Sequence, residues 1–217
     1  FVSGLGLKFT QSVIDLSGGM LFPLLCLTAI SAIILGMGMT TTAVYITVAA
    51  LIVPSLIEAG ILPIAAHMFA FYFGVVSTIT PPVALASFAG AAIAKSPPMA
   101  TAFESSKVGI AKYIVPFAFI YNPSLLMEGP RIWSFYSLIS VLLAYWCMTL
   151  GLEGWFNGKL NVYKRTLALL GSVSLLIPPL QIIYGIQGFY YNAIGVLLLA
   201  LIYFVQGKLN FNLKAQS

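Results

Sequence analysis

Two short clusters hold the groups in this chain that are best suited to bind an ion. Gly36, Gly38, Thr40, Thr41 and Thr42 form the first, and Ser77, Thr80, Pro81 and Pro82 the second. Neither contains a charged residue. Glycine permits left-handed dihedrals and close backbone approach. Proline removes an amide donor and clashes with the preceding helical turn. Both effects free carbonyl oxygens from helical hydrogen bonding, and the Thr and Ser hydroxyls, with Thr78, add further oxygen. Sodium is a hard cation that such oxygens suit. A helix starting after each interruption turns its positive N-terminus toward the same region, which favours a carboxylate. One region could therefore hold Na⁺ and an organic anion without any buried charged side chain.

The surrounding sequence is what makes these breaks informative. The chain has 217 residues, of which 60% are hydrophobic and 7% charged, with a mean hydropathy of +1.03. Soluble domains carry about 25% charged residues, so the composition reads as an all-α integral membrane protein. In hydrocarbon an interrupted helix leaves unpaired backbone groups costing several kcal/mol each. Such interruptions persist where protein, water or an ion satisfies them, and a close pair is the pattern of a secondary transporter's site. Packing is the competing explanation, because Gly and Thr also line helix contacts in membranes.

A spanning helix needs about 20 apolar residues. The apolar arms at 20–35 and 43–57 are shorter than this. They read as one re-entrant hairpin over 20–57 with the Gly-Thr cluster at its tip; two thin spanning helices are the alternative. Residues 63–94 read as one discontinuous helix, unwound near Thr80. A mildly amphipathic stretch over 99–112 follows, then a span over 113–127 carrying Pro116 and Asn122-Pro123. Residues 1–19 are more polar and read as interfacial or as the end of a preceding element. The chain begins at Phe1 rather than Met, and the expectation is a C-terminal part of a longer protein. Residues 129–217 read as an extension with three simpler spans at 132–150, 166–186 and 189–206. Trp133, Trp146 and Trp155 lie near span ends, where interfacial aromatics are expected. Pro178-Pro179 reads as a kink with Gln181 hydrogen-bonded nearby.

Charge placement gives an orientation. With 95–112 in the cytoplasm, Lys95, Lys107, Lys112, Lys159, Lys164, Arg165, Lys208 and Lys214 all fall inside, and only Lys8 and Arg131 outside. This bias follows the positive-inside rule. It puts the hairpin tip entering from outside and the C-terminus in the cytoplasm. The net charge of +5 is therefore a topology signal and not a nucleic-acid one.

The remaining reactive residues are sparse. His67, the single histidine, reads as a hydrogen-bonded structural residue, with a proton relay as the alternative. Glu58, Glu104, Glu128 and Glu153 all lie at span ends. Cys26 and Cys147 lie in apolar segments and read as packing residues. Without a metal-ligand cluster, a nucleophile–base pair or a mid-membrane acid pair, a membrane enzyme is disfavoured. A non-transporting scaffold or assembly subunit is the alternative to a transporter.

Three stretches resemble the large membrane subunit of tripartite ATP-independent periplasmic (TRAP) transporters, in particular the fused-permease branch. They are Gly36-Met37-Gly38-Met39-Thr40-Thr41-Thr42-Ala43-Val44-Tyr45-Ile46, Ala65-Ala66-His67-Met68-Phe69-Ala70-Phe71-Tyr72-Phe73 and Ser77-Thr78-Ile79-Thr80-Pro81-Pro82-Val83-Ala84-Leu85-Ala86. Val115-Pro116-Phe117 and Tyr121-Asn122-Pro123 are also similar. The resemblance covers 20–128, and 129–217 resemble the C-terminal extension of fused permeases more weakly. The chain departs from the family at Thr40, where a proline is usual, and this bears on the ion geometry rather than on the fold.

The resemblance implies the second half of an inverted-repeat elevator transporter in a bacterial inner membrane. It implies Na⁺-coupled uptake of an organic acid delivered by a periplasmic substrate-binding protein, with Na⁺ as coupling ion and no cofactor. It assigns the hairpin tip to Gly36, Gly38, Thr40, Thr41 and Thr42, and the unwound segment to Thr80, Pro81 and Pro82. The N-terminal remainder of the same permease would supply the other half of the site.

Overall fold

The computed structural model describes residues 4–156, 158–179, 182–183 and 186–214. They fall into two compact units, Phe1–Leu126 and Met127–Ser217.

In the first unit, α1 (Leu5–Ser17) ends at Gly18, whose left-handed backbone (φ 60°) returns its amide to the Asp15 carbonyl. This N-terminal stretch, read above as interfacial or as the end of a preceding element, is a helix that packs on the three helices after it. These are α2 (Leu21–Gly36), α3 (Thr41–Leu51) and α4 (Val53–Glu58). Pro54 explains why α3 and α4 are separate helices: it has no amide to offer the Ala50 carbonyl. Next come α5 (Pro63–Val76) and a 3₁₀ turn, Ser77–Ile79. Thr80 is extended (φ −95°, ψ 125°), the Pro81–Pro82 peptide is cis, and α6 (Leu85–Ala94) resumes after the gap. The unit closes with α7 (Pro98–Val108), α8 (Ile110–Tyr121) and a 3₁₀ turn at Pro123–Leu126.

Helix α5 is the hub, in contact with α2, α3 and α8. Its buried face carries Ala65, Ala66, Phe69, Ala70 and Phe73. Phe117 of α8 meets Phe69 and Phe73 edge-on, with ring centroids 5.4 and 5.8 Å away, a favoured aromatic geometry. At Gly74 a Cβ would lie 2.6 Å from Val44 Cγ1, so the absence of a side chain there lets α3 sit directly on α5.

The second unit contains α9 (Arg131–Glu153), α10 (Val162–Leu176) and α11 (Gly188–Lys214), with α10 packed on both others. A two-residue antiparallel ladder pairs Ile182–Ile183 with Ile186–Gln187. The apolar run expected to span 166–186 is thus helical only to Leu176. Pro178 and Pro179 follow, and neither can donate to the helix ladder. Gln181 lies outside the described residues.

Two helix ends in this unit are closed by side chains from elsewhere. Arg165 donates from Nε to the Gly151 carbonyl (2.9 Å) and from Nη2 to the Leu152 carbonyl (2.8 Å), capping α9. At the end of α10, buried Ser140 donates to the Leu175 carbonyl at 2.7 Å. With its amide oriented by its partners, buried Asn192 donates to the Ser174 and Ile177 carbonyls at 2.8 and 3.1 Å. Carbonyls at a helix end need such partners wherever water is scarce.

Large apolar side chains are found outside as well as inside. On α9 the buried face holds Ser137, Ser140, Ala144, Cys147 and Gly151 beside Val141, Met148 and Leu150, while Phe135, Leu138, Ile139, Leu142 and Trp146 are exposed. Small and polar residues at a helix contact with large apolar groups facing outward is what a hydrocarbon solvent permits. Among the described residues, α9 is the one helix both long and apolar enough to cross a bilayer by itself; α2, α3, α6 and α8 are shorter apolar helices.

Candidate functional site

The two helix interruptions are 41 positions apart in sequence (77 − 36) yet meet in space. Gly36 is the last residue of α2, and Ser77 opens the 3₁₀ turn after α5; both are buried. A Cβ on Gly36 would run into Ser77 Oγ and lie 2.8 Å from Ser77 Cβ and 3.1 Å from Val44 Cγ1. Two residues on, Gly38 has φ +77°, and a Cβ there would lie 3.9 Å from Val83 Cγ1. The tip between α2 and α3 therefore lies along the gap between α5 and α6. Two helix C-termini, at Gly36 and Ile79, end in this region, and two N-termini, at Thr41 and Leu85, start from it.

The hydroxyls of the unwound segment share one chemistry. Ser77 Oγ donates to the Gly74 carbonyl (2.6 Å), Thr78 Oγ1 to Val75 (2.8 Å) and Thr80 Oγ1 to Val76 (2.7 Å). Each proton thus goes to a carbonyl in the last turn of α5. A hydroxyl has one proton and two lone pairs, so each oxygen keeps acceptor capacity after donating. An oxygen with its proton committed is a suitable ligand for a cation.

Of the residues expected at the site, Gly36, Gly38, Ser77 and Thr80 border this junction. Thr40, Thr41 and Thr42 are exposed where α3 begins, and their hydroxyls make no hydrogen bond among the described residues. Pro81 is half-buried and Pro82 exposed in the gap. His67 pairs its Nδ1 with the Tyr45 hydroxyl at 3.0 Å, joining α5 to α3. Among the described residues no cluster of His, Cys, Asp and Glu could hold a metal ion.

Three residues at this site lie outside what the sequence alone indicates. Tyr113 of α8 sets its hydroxyl 2.6 Å from Thr80 Oγ1. Ser106 of α7 donates to the Ile79 carbonyl at 3.0 Å. A Cβ on Gly109, between these helices, would lie 2.7 Å from Ile79 Cδ1. The one local hint is the seven-residue spacing of Ser106 and Tyr113, which would put two hydroxyls on one face of a continuous helix, although the two lie on α7 and α8 with Gly109 between them.

A helical chain of this hydropathy, with many large apolar side chains exposed and two apposed helix breaks, is a polytopic membrane protein of all-α class. The family model for the tripartite ATP-independent periplasmic transporter, DctM component, matches residues 1–129. The chain belongs to this family of TRAP transporter membrane components, which is a family of transporter parts rather than of enzymes. No curated protein matches the chain, and no solved structure does.

Proposed function

We propose that this chain forms part of the Na⁺-coupled import path of a TRAP permease that takes up an organic acid delivered by a periplasmic binding protein. The observation that carries the reading is the seating of Gly36 against Ser77, which joins the two breaks in one place. Carbonyls and proton-committed hydroxyls at two helix C-termini suit Na⁺, and the N-termini of α3 and α6 suit a carboxylate. The hairpin of α2–α4 with the broken helix α5–α6 then moves as one body against a scaffold, an elevator step in the inner membrane. The hairpin enters from the periplasmic side and the C-terminus lies in the cytoplasm, as the positive charges favour.

The test is uptake by the intact permease and its binding protein in proteoliposomes, against a panel of radiolabelled mono- and dicarboxylates. Wild type is compared with Thr41→Val and Gly38→Leu, with and without an inward Na⁺ gradient. Sodium-dependent uptake that disappears in folded variants supports the reading. Uptake indifferent to sodium, or normal in both variants, sinks it.

A second reading, a non-transporting scaffold subunit, draws on the internal bonding of Ser77, Thr78 and Thr80. In that case substitutions at the junction change stability alone.

A further inference from the structure

The unwound segment is held from one side by a part of the chain that belongs to neither break. Ile79 and Thr80, the last residues before Pro81, are each grasped through a hydrogen bond from the α7–α8 corner. Ser106 Oγ donates to the Ile79 carbonyl (3.0 Å), which fixes the plane of the peptide leading into Thr80. Because Thr80 Oγ1 gives its proton to the Val76 carbonyl, Tyr113 is the donor in the 2.6 Å contact between the two hydroxyls. Thr80 Oγ1 then has one lone pair left, and its direction is set by Val76 on one side and Tyr113 on the other. The Tyr113 hydroxyl also donates to Ser106 Oγ in a second, longer contact at 3.4 Å, which joins the two residues at one spot. Gly109 gives Ile79 room to approach, since a Cβ there would collide with its Cδ1.

We infer that Tyr113 and Ser106 are positioning residues for cation binding: they aim the remaining Thr80 lone pair and the carbonyls around it, without contacting the ion. This rests on the reading of the junction as a Na⁺ site. Packing alone does not account for the arrangement. A phenylalanine ring in place of Tyr113 would fill the same space, yet the phenolic oxygen is spent on the one threonine that closes the broken helix. The start of α7 is held to the preceding loop by Thr101 Oγ1, which pairs with Ser96 Oγ at 2.8 Å.

The experiment is a sodium titration of thermal stability on the purified intact permease, with choline replacing Na⁺ at constant ionic strength. A ligand that binds only the folded state raises the melting temperature with its own concentration dependence. For Tyr113→Phe the midpoint sodium concentration is expected to rise roughly fivefold, the equilibrium factor for one hydrogen bond of ordinary net strength. Ser106→Ala is expected to shift it in the same direction, and carries the test if Tyr113→Phe does not fold. A variant that melts lower in choline but keeps the wild-type midpoint shows a merely structural role and overturns the inference. If wild type itself gains no stability from sodium over choline, the Na⁺ reading fails and takes the inference with it.

Discussion

Gly36 and Ser77 are in contact so close that the glycine has no room for a methyl group: its Cβ would lie 2.8 Å from the serine Cβ. The contact fixes the distance between the tip of one helical hairpin and the broken end of another helix. Gly36→Ala is expected to destabilise the protein by about 1–3 kcal/mol, the range for overpacking a filled interior. Ser77→Gly in the same chain should recover part of this loss, because it removes both colliding atoms. A melting curve of the two variants checks it. Equal losses in the single and double variants would show that Ser77 is not what Gly36 meets.

The crossing of α3 and α5 makes a similar prediction with a different partner. Gly74→Ala puts a methyl 2.6 Å from Val44 Cγ1. The expected cost is again about 1–3 kcal/mol. Val44→Ala alone leaves a cavity, at roughly 1–2 kcal/mol. Together the two substitutions should cost less than their sum, since the new methyl enters the space the valine vacates. A double-mutant cycle reads the coupling directly.

In the second unit, Ser140→Ala and Asn192→Leu each strip donors from the C-terminal carbonyls of α10. An unsatisfied buried acceptor costs about 1–3 kcal/mol, so both variants should melt earlier than wild type. Asn192→Leu should be the more severe, because it releases two carbonyls, at Ser174 and Ile177, where Ser140→Ala releases one. The opposite ranking would mean that one of the Asn192 bonds is replaced by another donor.

Arg165 spans the Gly151 and Leu152 carbonyls with two nitrogens of one guanidinium. Lysine offers a single ammonium on a flexible stem and cannot reproduce that fork. Arg165→Lys keeps the charge and is expected to cost about 1 kcal/mol through one lost hydrogen bond. Because Arg165→Lys leaves topology signals intact, membrane insertion should be unchanged while the melting temperature falls.

The breaks themselves are legible in the sequence because their causes are local. Pro81 and Pro82 cannot continue a helix, and Gly36 with Gly38 loosens one, wherever the rest of the chain goes. What the breaks touch is not legible, since Gly36 finds Ser77 only through the packing of α2 and α3 on α5. Tyr113 is invisible for the same reason. A tyrosine in an apolar span reads as packing or as an interfacial anchor, and its partner Thr80 is 33 positions away. Hydropathy misses the end of α10 at Leu176 because apolar residues continue past it, at Ile177, Leu180, Ile182 and Ile183. The better signal is Pro178-Pro179, which acts on hydrogen bonding rather than on hydrophobicity. On α9, hydropathy recognises the membrane, but the choice of Ser137 and Ser140 for the inner face is a matter of how closely helices approach.

The capping of α10 has a consequence for how the protein is made. Its last carbonyls are closed by Ser140, synthesised well before it, and by Asn192, synthesised after it. When α10 leaves the ribosome one of these three carbonyls has its donor within reach, and the other two gain theirs with the first turns of α11. Until then the open carbonyls depend on water for a partner. Maturation of this unit is therefore ordered in time: α9 and α10 can pair early, but the bundle locks only once the chain has returned through Asn192.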